Sequence, residues 1–306
     1  ALNARRAARL LDWSLVLSAA LAEVMRARSS AWHPTFAVVR PHPGQQLVTE
    51  RLNRLTAGTG RLRDDPPAKA SADVDPGILQ DAYTLRCVPQ VLGAVADLRT
   101  FHDALVLREL NAVTDNPIFP EAPDPAVLHG GNFQGQHVAA ASDALAIGLV
   151  TLAGLAERQI ARVTDERLNG GLPPFLCRGR PGLDSGLMGA QVTATALLAE
   201  MRSRAVPASI QSISTNGANQ DVVSMGTIAA RNAAAQASDA ATILAILALA
   251  CAQGIDICGP DGFSPAALAL HGAIRVESAP LLTDRPLAAE IEAVAGMINR
   301  NGPPCA

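Results

Sequence analysis

The chain has 306 residues, 49% of them hydrophobic and only 3% aromatic, with a formal net charge of −3. That length supports a large core, and a core of Ala, Leu, Val and Ile suits close-packed helices better than a sheet. The mildly acidic balance excludes a basic nucleic-acid footprint, and with Lys69 as the only lysine, arginine is left to make fixed bidentate contacts with carboxylates.

In chain order, residues 1–29 are already helical in pattern from the first residue, without an initial Met. Residues 30–78 carry "RPHPGQ" and then a Pro/Gly/Asp-rich stretch, and are expected to be irregular. Residues 87–111 predict a helix with Pro89 tolerated in its first turn, and 112–132 a loop. Residues 135–164 predict a long helix, because Leu145, Leu149, Leu152 and Leu155 recur at three- and four-residue spacing. A Gly/Pro loop (165–183) and a third helix (184–205) follow. After a polar loop (206–220), 221–257 predict a very long helix with Asp221 as its N-cap. Shorter helices are expected around 264–274 and 286–299. The longest apolar run, 240–252, is too short for a membrane span and reads as a buried helix. Helices so apolar want neighbours on every side, from the same chain or from partner subunits.

The five cysteines, Cys87, Cys177, Cys251, Cys258 and Cys305, are odd in number and form no CxxC pair. That argues against a disulfide framework or zinc site and for a reducing cytoplasm. No signal peptide is visible. Lys69, in the run "DDPPAKASAD", is a poor Schiff-base lysine for pyridoxal phosphate, which needs a packed, desolvated pocket. His129 and His137 lack the acidic or Cys neighbours of a metal site. Met188 and Met201 on one helix read most simply as core.

Four polar segments stand out: "QDAYTLRC" (80–87), "NAVTDNPIF" (111–119), "HGGNFQGQH" (129–137) and "STNGANQDVVSMG" (214–226). The only tyrosine, Tyr83, stands three residues before Arg86. Read alone, that spacing suits a packing pair, and Asn-rich loops suit turns. Taken together, neutral amides beside one arginine suit a small zwitterionic or carboxylate ligand. No P-loop or GxGxxG is present.

The segments "RPHPGQ", "LQDAYTLRCVPQVLG", "ELNAVTDNPIF", "HGGNFQGQHVA", "LAERQIARVTD", "GLPPFL", "SGLMGAQVTATALLAEMR" and "NQDVVSMGTIAAR" resemble, in order, segments of the aromatic amino acid ammonia-lyases and the related 2,3-aminomutases. The resemblance runs from residue 1 to about 260. It implies an all-α bundle of long helices, of the fumarase/aspartase-like type, with 135–164, 184–205 and 221–257 at its core. It further implies a homotetramer whose sites draw on several subunits, and no metal or pyridoxal phosphate.

The family's electrophile, 4-methylidene-imidazole-5-one (MIO), forms from an Ala-Ser-Gly that this sequence lacks. The expectation is that residues 1–306 are the C-terminal portion of a lyase, inactive alone, whose MIO-bearing N-terminal portion lies elsewhere. By resemblance, Tyr83 lies near the substrate amine and Phe133 forms an aromatic wall near the MIO. Arg86 grips the substrate carboxylate, with Asn116 as its amide helper. Gln220, with Asn219 and Asn216, forms the far end of the pocket, and Met188 also contacts substrate. The wording of the last segment is similar to the tyrosine and phenylalanine branch. The implied reaction is loss of ammonia from an aromatic L-amino acid, tyrosine by preference, to give a coumarate-type acid. A tyrosine or phenylalanine 2,3-aminomutase, and an inactive helical scaffold, are the alternatives.

Overall fold

In the computed structural model, residues 1–64, 80–121, 126–180 and 182–304 are described. Lys69 and Cys305 lie outside the described residues. The helices are α1 (Leu2–Val24), α2 (Pro34–Val39), α3 (Pro43–Leu55), α4 (Tyr83–Arg86), α5 (Val88–Leu110), α6 (Gln136–Thr164), α7 (Met188–Ser203), α8 (Gly226–Cys258), α9 (Pro265–Glu277) and α10 (Ala288–Arg300). Among the described residues there is no β-strand, only isolated bridges such as Ile118 with Leu128. The expected all-α bundle is what forms.

Three long helices run parallel. At their start Asn3 of α1 donates to the Ala230 carbonyl of α8 (2.9 Å), and near their end the Cys251 thiol of α8 meets the Leu17 carbonyl of α1. Ser18 of α1 and Gln159 of α6 hydrogen bond at 3.0 Å, toward the same end. The helices α5 and α7 run the other way. Thr195 of α7 donates to Glu157 of α6, and Gln236 of α8 donates to the Met201 carbonyl of α7.

The core is aliphatic, as the composition requires. Helix α8 is buried without interruption from Ile243 to Ile255, and Leu145, Leu149, Leu152 and Leu155 of α6 are all buried. Each such Leu contributes roughly 1.5–3 kcal/mol on burial. Both α6 and α8 are long and apolar enough to cross a membrane by length and composition, so the short run 240–252 understated α8; their apolar windows are 61% and 78% buried against the chain itself.

Several expectations need correction. Residues 30–78 are not irregular throughout: α2 and α3 lie within them. Helix α3 is hidden by the Pro and Gly at its start; its buried face mixes Gly44, Gln45 and Thr49 with Val48, Leu52 and Leu55 at helical spacing. Pro43 sits in its first turn, where the missing N–H costs nothing. Gly44 lets α3 cross α5 at backbone distance, since a Cβ there would stand 2.0 Å from the Gly93 carbonyl oxygen. Asp221 caps nothing: α8 starts at Gly226, after Met225 in a left-handed conformation (φ 57°), with no side-chain cap. The third helix starts at Met188, not 184. Met201 is fully buried as read, but Met188 is 42% exposed. Helix α1, left out of the expected core, is buried from Trp13 to Val24 and packs along α8.

Candidate active site divided between the two ends of the bundle

At the end where α1, α6 and α8 finish, α4 is a single turn bearing Tyr83 and Arg86. The Arg86 guanidinium carbon lies 4.8 Å from the centre of the Tyr83 ring, a cation–π stack. The stack is the packing pair that the spacing suggested, yet it leaves both polar groups open. Among the described residues, the Tyr83 hydroxyl has no hydrogen-bond partner, and Arg86 has neither an ion pair nor a hydrogen bond from its side chain. The Arg86 Nε is shut away from solvent with nothing to donate to. Such a desolvated donor costs about 1–3 kcal/mol until an acceptor arrives. Tyr83 is 69% exposed.

The turn is held from beneath. Gln159, fully buried on α6, donates from Nε2 to the Thr84 carbonyl at 3.0 Å. Trp32 donates from its indole N–H to the Leu85 carbonyl at 3.1 Å. The Leu85 carbonyl needs that donor, because the residue four positions on is Pro89, which has no N–H. Beside α4 a cleft of about 710 Å³ is lined by Arg26, Arg61, Arg63, Arg162, Arg167 and Asp81, among others. Arg63 pairs with Asp81 at 2.9 Å. Hydrogen bonds from Arg167 hold the Asp165 carboxyl down to about 2.

The remaining polar residues gather at the opposite end, where α6 and α8 begin. Phe133 is 58% exposed and lines a cleft of about 570 Å³ with Val138, Val223, Met225 and Ile228. Asn132 donates to the Val113 carbonyl, and Gln134 to the Val222 carbonyl, tying the loops of Asn116 and Gln220 to that of Phe133. Asn216, Gly217 and Ala218 are all left-handed, forming a tight turn closed by backbone bonds between Thr215 and Gln220. The Thr215 hydroxyl donates to Gln220 Oε1 at 3.0 Å. Asn216, Asn219 and Gln220 are exposed, and Asn116 is half-buried. Neither α6 nor α8 has a side-chain cap or an acidic residue in its first turn. Two parallel helix N-termini therefore lend this end a positive field.

Tyr83 and Arg86 thus form one group, and Asn116, Phe133, Asn216, Asn219 and Gln220 another. Gln136 opens α6 at one group and Gln159 contacts the other, so at about 1.5 Å rise per residue they stand on the order of 35 Å apart. No single amino acid spans that. Met188 joins neither group: it lines a cleft of about 780 Å³ with Thr242, Asp284, Arg285 and Glu292. Among the described residues, no cluster of three or more His, Cys, Asp or Glu could hold a metal ion. Nothing in the residue pattern around Trp32 or Gln159 marks them as functional. Pro89, which orphans a carbonyl, was the one local signal.

Comparison with known proteins follows this architecture. The chain aligns with the crystal structure of a tyrosine aminomutase from Streptomyces globisporus at a TM-score of 0.92 and 42% identity, covering 98% of this chain and 59% of that one. This is the long-helix fold of the ammonia-lyases and aminomutases. The profile described as "Aromatic amino acid lyase" matches residues 1–276, and the chain belongs to that family. It is 54% identical to a tyrosine ammonia-lyase of Cereibacter sphaeroides over 98% of this chain, and 44% identical to an MIO-dependent tyrosine 2,3-aminomutase of Streptomyces globisporus over 93%. The chain spans 59% and 54% of the length of these two relatives.

Proposed function

We propose that this chain supplies the carboxylate-binding and ring-binding parts of an enzyme that eliminates ammonia from an aromatic L-amino acid, tyrosine by preference. The observation that carries the reading is Arg86: a stacked guanidinium, partly desolvated and without a polar partner among the described residues, beside the only tyrosine of a chain in the aromatic amino acid lyase family. Its planar fork suits a bidentate grip on the substrate carboxylate. That grip puts the α-amino group toward the Tyr83 hydroxyl. Elimination then passes a β-proton to a base from the portion outside this chain, the C–H pair becomes the new C=C bond, and the Cα–N pair leaves with ammonia, giving the trans-α,β-unsaturated acid.

The cofactor we assign is MIO, drawn from a portion of the enzyme outside this chain. When bound it supplies an electrophile for the amine, a poor leaving group otherwise. The residues here fit such a group: Tyr83, stacked by Arg86, and Phe133 are both largely exposed among the described residues, and the helix N-termini beside Phe133 favour electron-rich chemistry. Neither metal nor pyridoxal phosphate is part of this reading.

The 35 Å separation motivates the rest of the proposal. The enzyme is a homotetramer, and each site joins Tyr83 and Arg86 of one subunit to Phe133 and the Asn216–Gln220 turn of another. Exposed apolar side chains around the second group, among them Val113, Phe119, Leu128, Ile213 and Val222, suit contact with partner subunits. Asn116 assists at the carboxylate end of the assembled site, and Met188 contacts substrate from a further subunit. The four described cysteines are free, in keeping with a cytoplasmic protein. A 2,3-aminomutase, which returns the amine to the β-carbon, is the second reading, favoured by the 44% identity to such an enzyme.

The test is to join the chain to the Ala-Ser-Gly-bearing portion of the Cereibacter sphaeroides relative and supply tyrosine. Free coumarate is expected from the joined protein and none from the 306-residue chain alone; β-tyrosine would favour the mutase. Arg86→Lys should lower kcat/KM by about tenfold to a hundredfold, the loss of charge-assisted hydrogen bonds worth about 1.5–3 kcal/mol. Unchanged kinetics would refute the carboxylate assignment.

A further inference from the structure

We infer that Trp32 and Gln159 are positioning residues for the carboxylate grip, acting through the backbone of α4. The inference rests on the reading of Arg86 above. A one-turn helix has almost no internal hydrogen bonding to hold its orientation. In α4 the Cys87 N–H returns to the Tyr83 carbonyl, and the Arg86 N–H returns to the Ala82 carbonyl before the turn. The Thr84 and Leu85 carbonyls face inward and are met by side chains from elsewhere in the fold. Gln159 comes from α6 and is itself fixed by Ser18 of α1, with no exposure to solvent. Trp32 comes from the 3₁₀ turn Ser29–Trp32, 3% exposed, and its backbone carbonyl accepts from Asn53 of α3 at 2.8 Å.

Two buried donors thus bracket the residue just before Arg86, each anchored to a long helix or to α3. Pro89 makes the arrangement necessary. It denies Leu85 the usual helical donor, so without the Trp32 indole that carbonyl would be buried and unpaired. Loss of either donor lets the turn rotate to find water, and the Arg86 guanidinium rotates with it. A carboxylate grip depends on the direction of the guanidinium fork, so this rotation weakens binding of the carboxylate more than of the ring.

The experiment uses the complete enzyme with Trp32→Phe and, separately, Gln159→Met, each keeping bulk while losing the donor. The probes are coumarate, which carries the carboxylate, and tyramine, which lacks it, both as competitive ligands against tyrosine. Expected is a rise of about fivefold in the coumarate inhibition constant and in KM, the loss of one neutral hydrogen bond, with tyramine binding unchanged. Equal loss for both probes, no loss for either, or failure of both variants to fold would reduce Trp32 and Gln159 to structural roles and overturn the inference. Arg86→Lys is the control. If it fails to separate coumarate from tyramine, the reading of Arg86 is at fault and not the support beneath it.

Discussion

The two ends of the bundle are built by different rules. Where α1, α6 and α8 finish, the described elements are tied to the core: α4 by Gln159 and Trp32, α1 to α9 through the buried Glu23, α3 to α5 through a glycine crossing. Where α6 and α8 begin, three loops carry neutral amides and exposed apolar side chains, bonded chiefly to one another's backbones. One end is anchored to the core of a single chain; the other carries the exposed loops that the proposed assembly would cover. On the proposed reading, the difference is between a carboxylate grip preorganised within one chain and a wall completed by assembly.

Substitutions at the anchored end should register in the stability of the chain, and those at the other should not. The largest effect is expected from Gly44→Ala. Its Cβ has no room against the Gly93 carbonyl, so α3 must move off α5, at a cost of about 3 kcal/mol. Denaturant titration would show it as a lower midpoint, and an unchanged midpoint would mean the crossing is looser than described.

Next comes Ser264→Ala. The Ser264 hydroxyl accepts from the Ala267 N–H as the N-cap of α9 and donates to Glu23 at 2.6 Å. Losing both should lower stability by about 1–2 kcal/mol. Burial raises the Glu23 carboxyl above its ordinary 4.5, despite hydrogen bonds from Ser264 and Thr59 that lower it. Because the folded form holds that proton more tightly, this residue's contribution falls as pH rises from 4.5 through the folded value. Glu23→Gln should remove that part of the pH dependence in thermal melts.

A smaller effect, of opposite sign, is expected at Glu157. Burial there would raise its carboxyl, but hydrogen bonds from Arg158 and Thr195 prevail and hold it below 4.5. Its stabilisation is present above 4.5 and lost as pH falls through the lower folded value. Melts of Glu157→Gln should therefore show a shallower loss of stability on the acid side. Smallest of all, Phe133→Ala and Gln220→Ala should leave the isolated chain within about 0.5 kcal/mol of its parent. A larger shift would erase the contrast between the ends.

How much of this was legible in the sequence depends on what each residue touches. The long helices were plain, since their Leu and Ala spacing is the cause of their burial. Helix α3 was not: Pro43 and Gly44 at its start are loop signals, although Val48, Leu52 and Leu55 recur at helical spacing on its buried face beside Gly44, Gln45 and Thr49. Asp221 looked like a cap because caps are read from residue type, while the left-handed Met225 decides where α8 starts. Tyr83 and Arg86 stood out by rarity and spacing. Trp32 and Gln159 did not: a tryptophan and a glutamine in apolar surroundings look like core until the carbonyls they meet are known.

The 35 Å between the two groups has a genetic consequence. With sites shared as proposed, a lesion at Arg86 and a lesion at Phe133 damage different halves of a site, on different subunits. Chains carrying one lesion each, co-expressed, would assemble some sites that draw Arg86 from the second parent and Phe133 from the first. Two dead alleles would then complement each other in a mixed tetramer, while two lesions at the same end, such as Tyr83 and Arg86, would not.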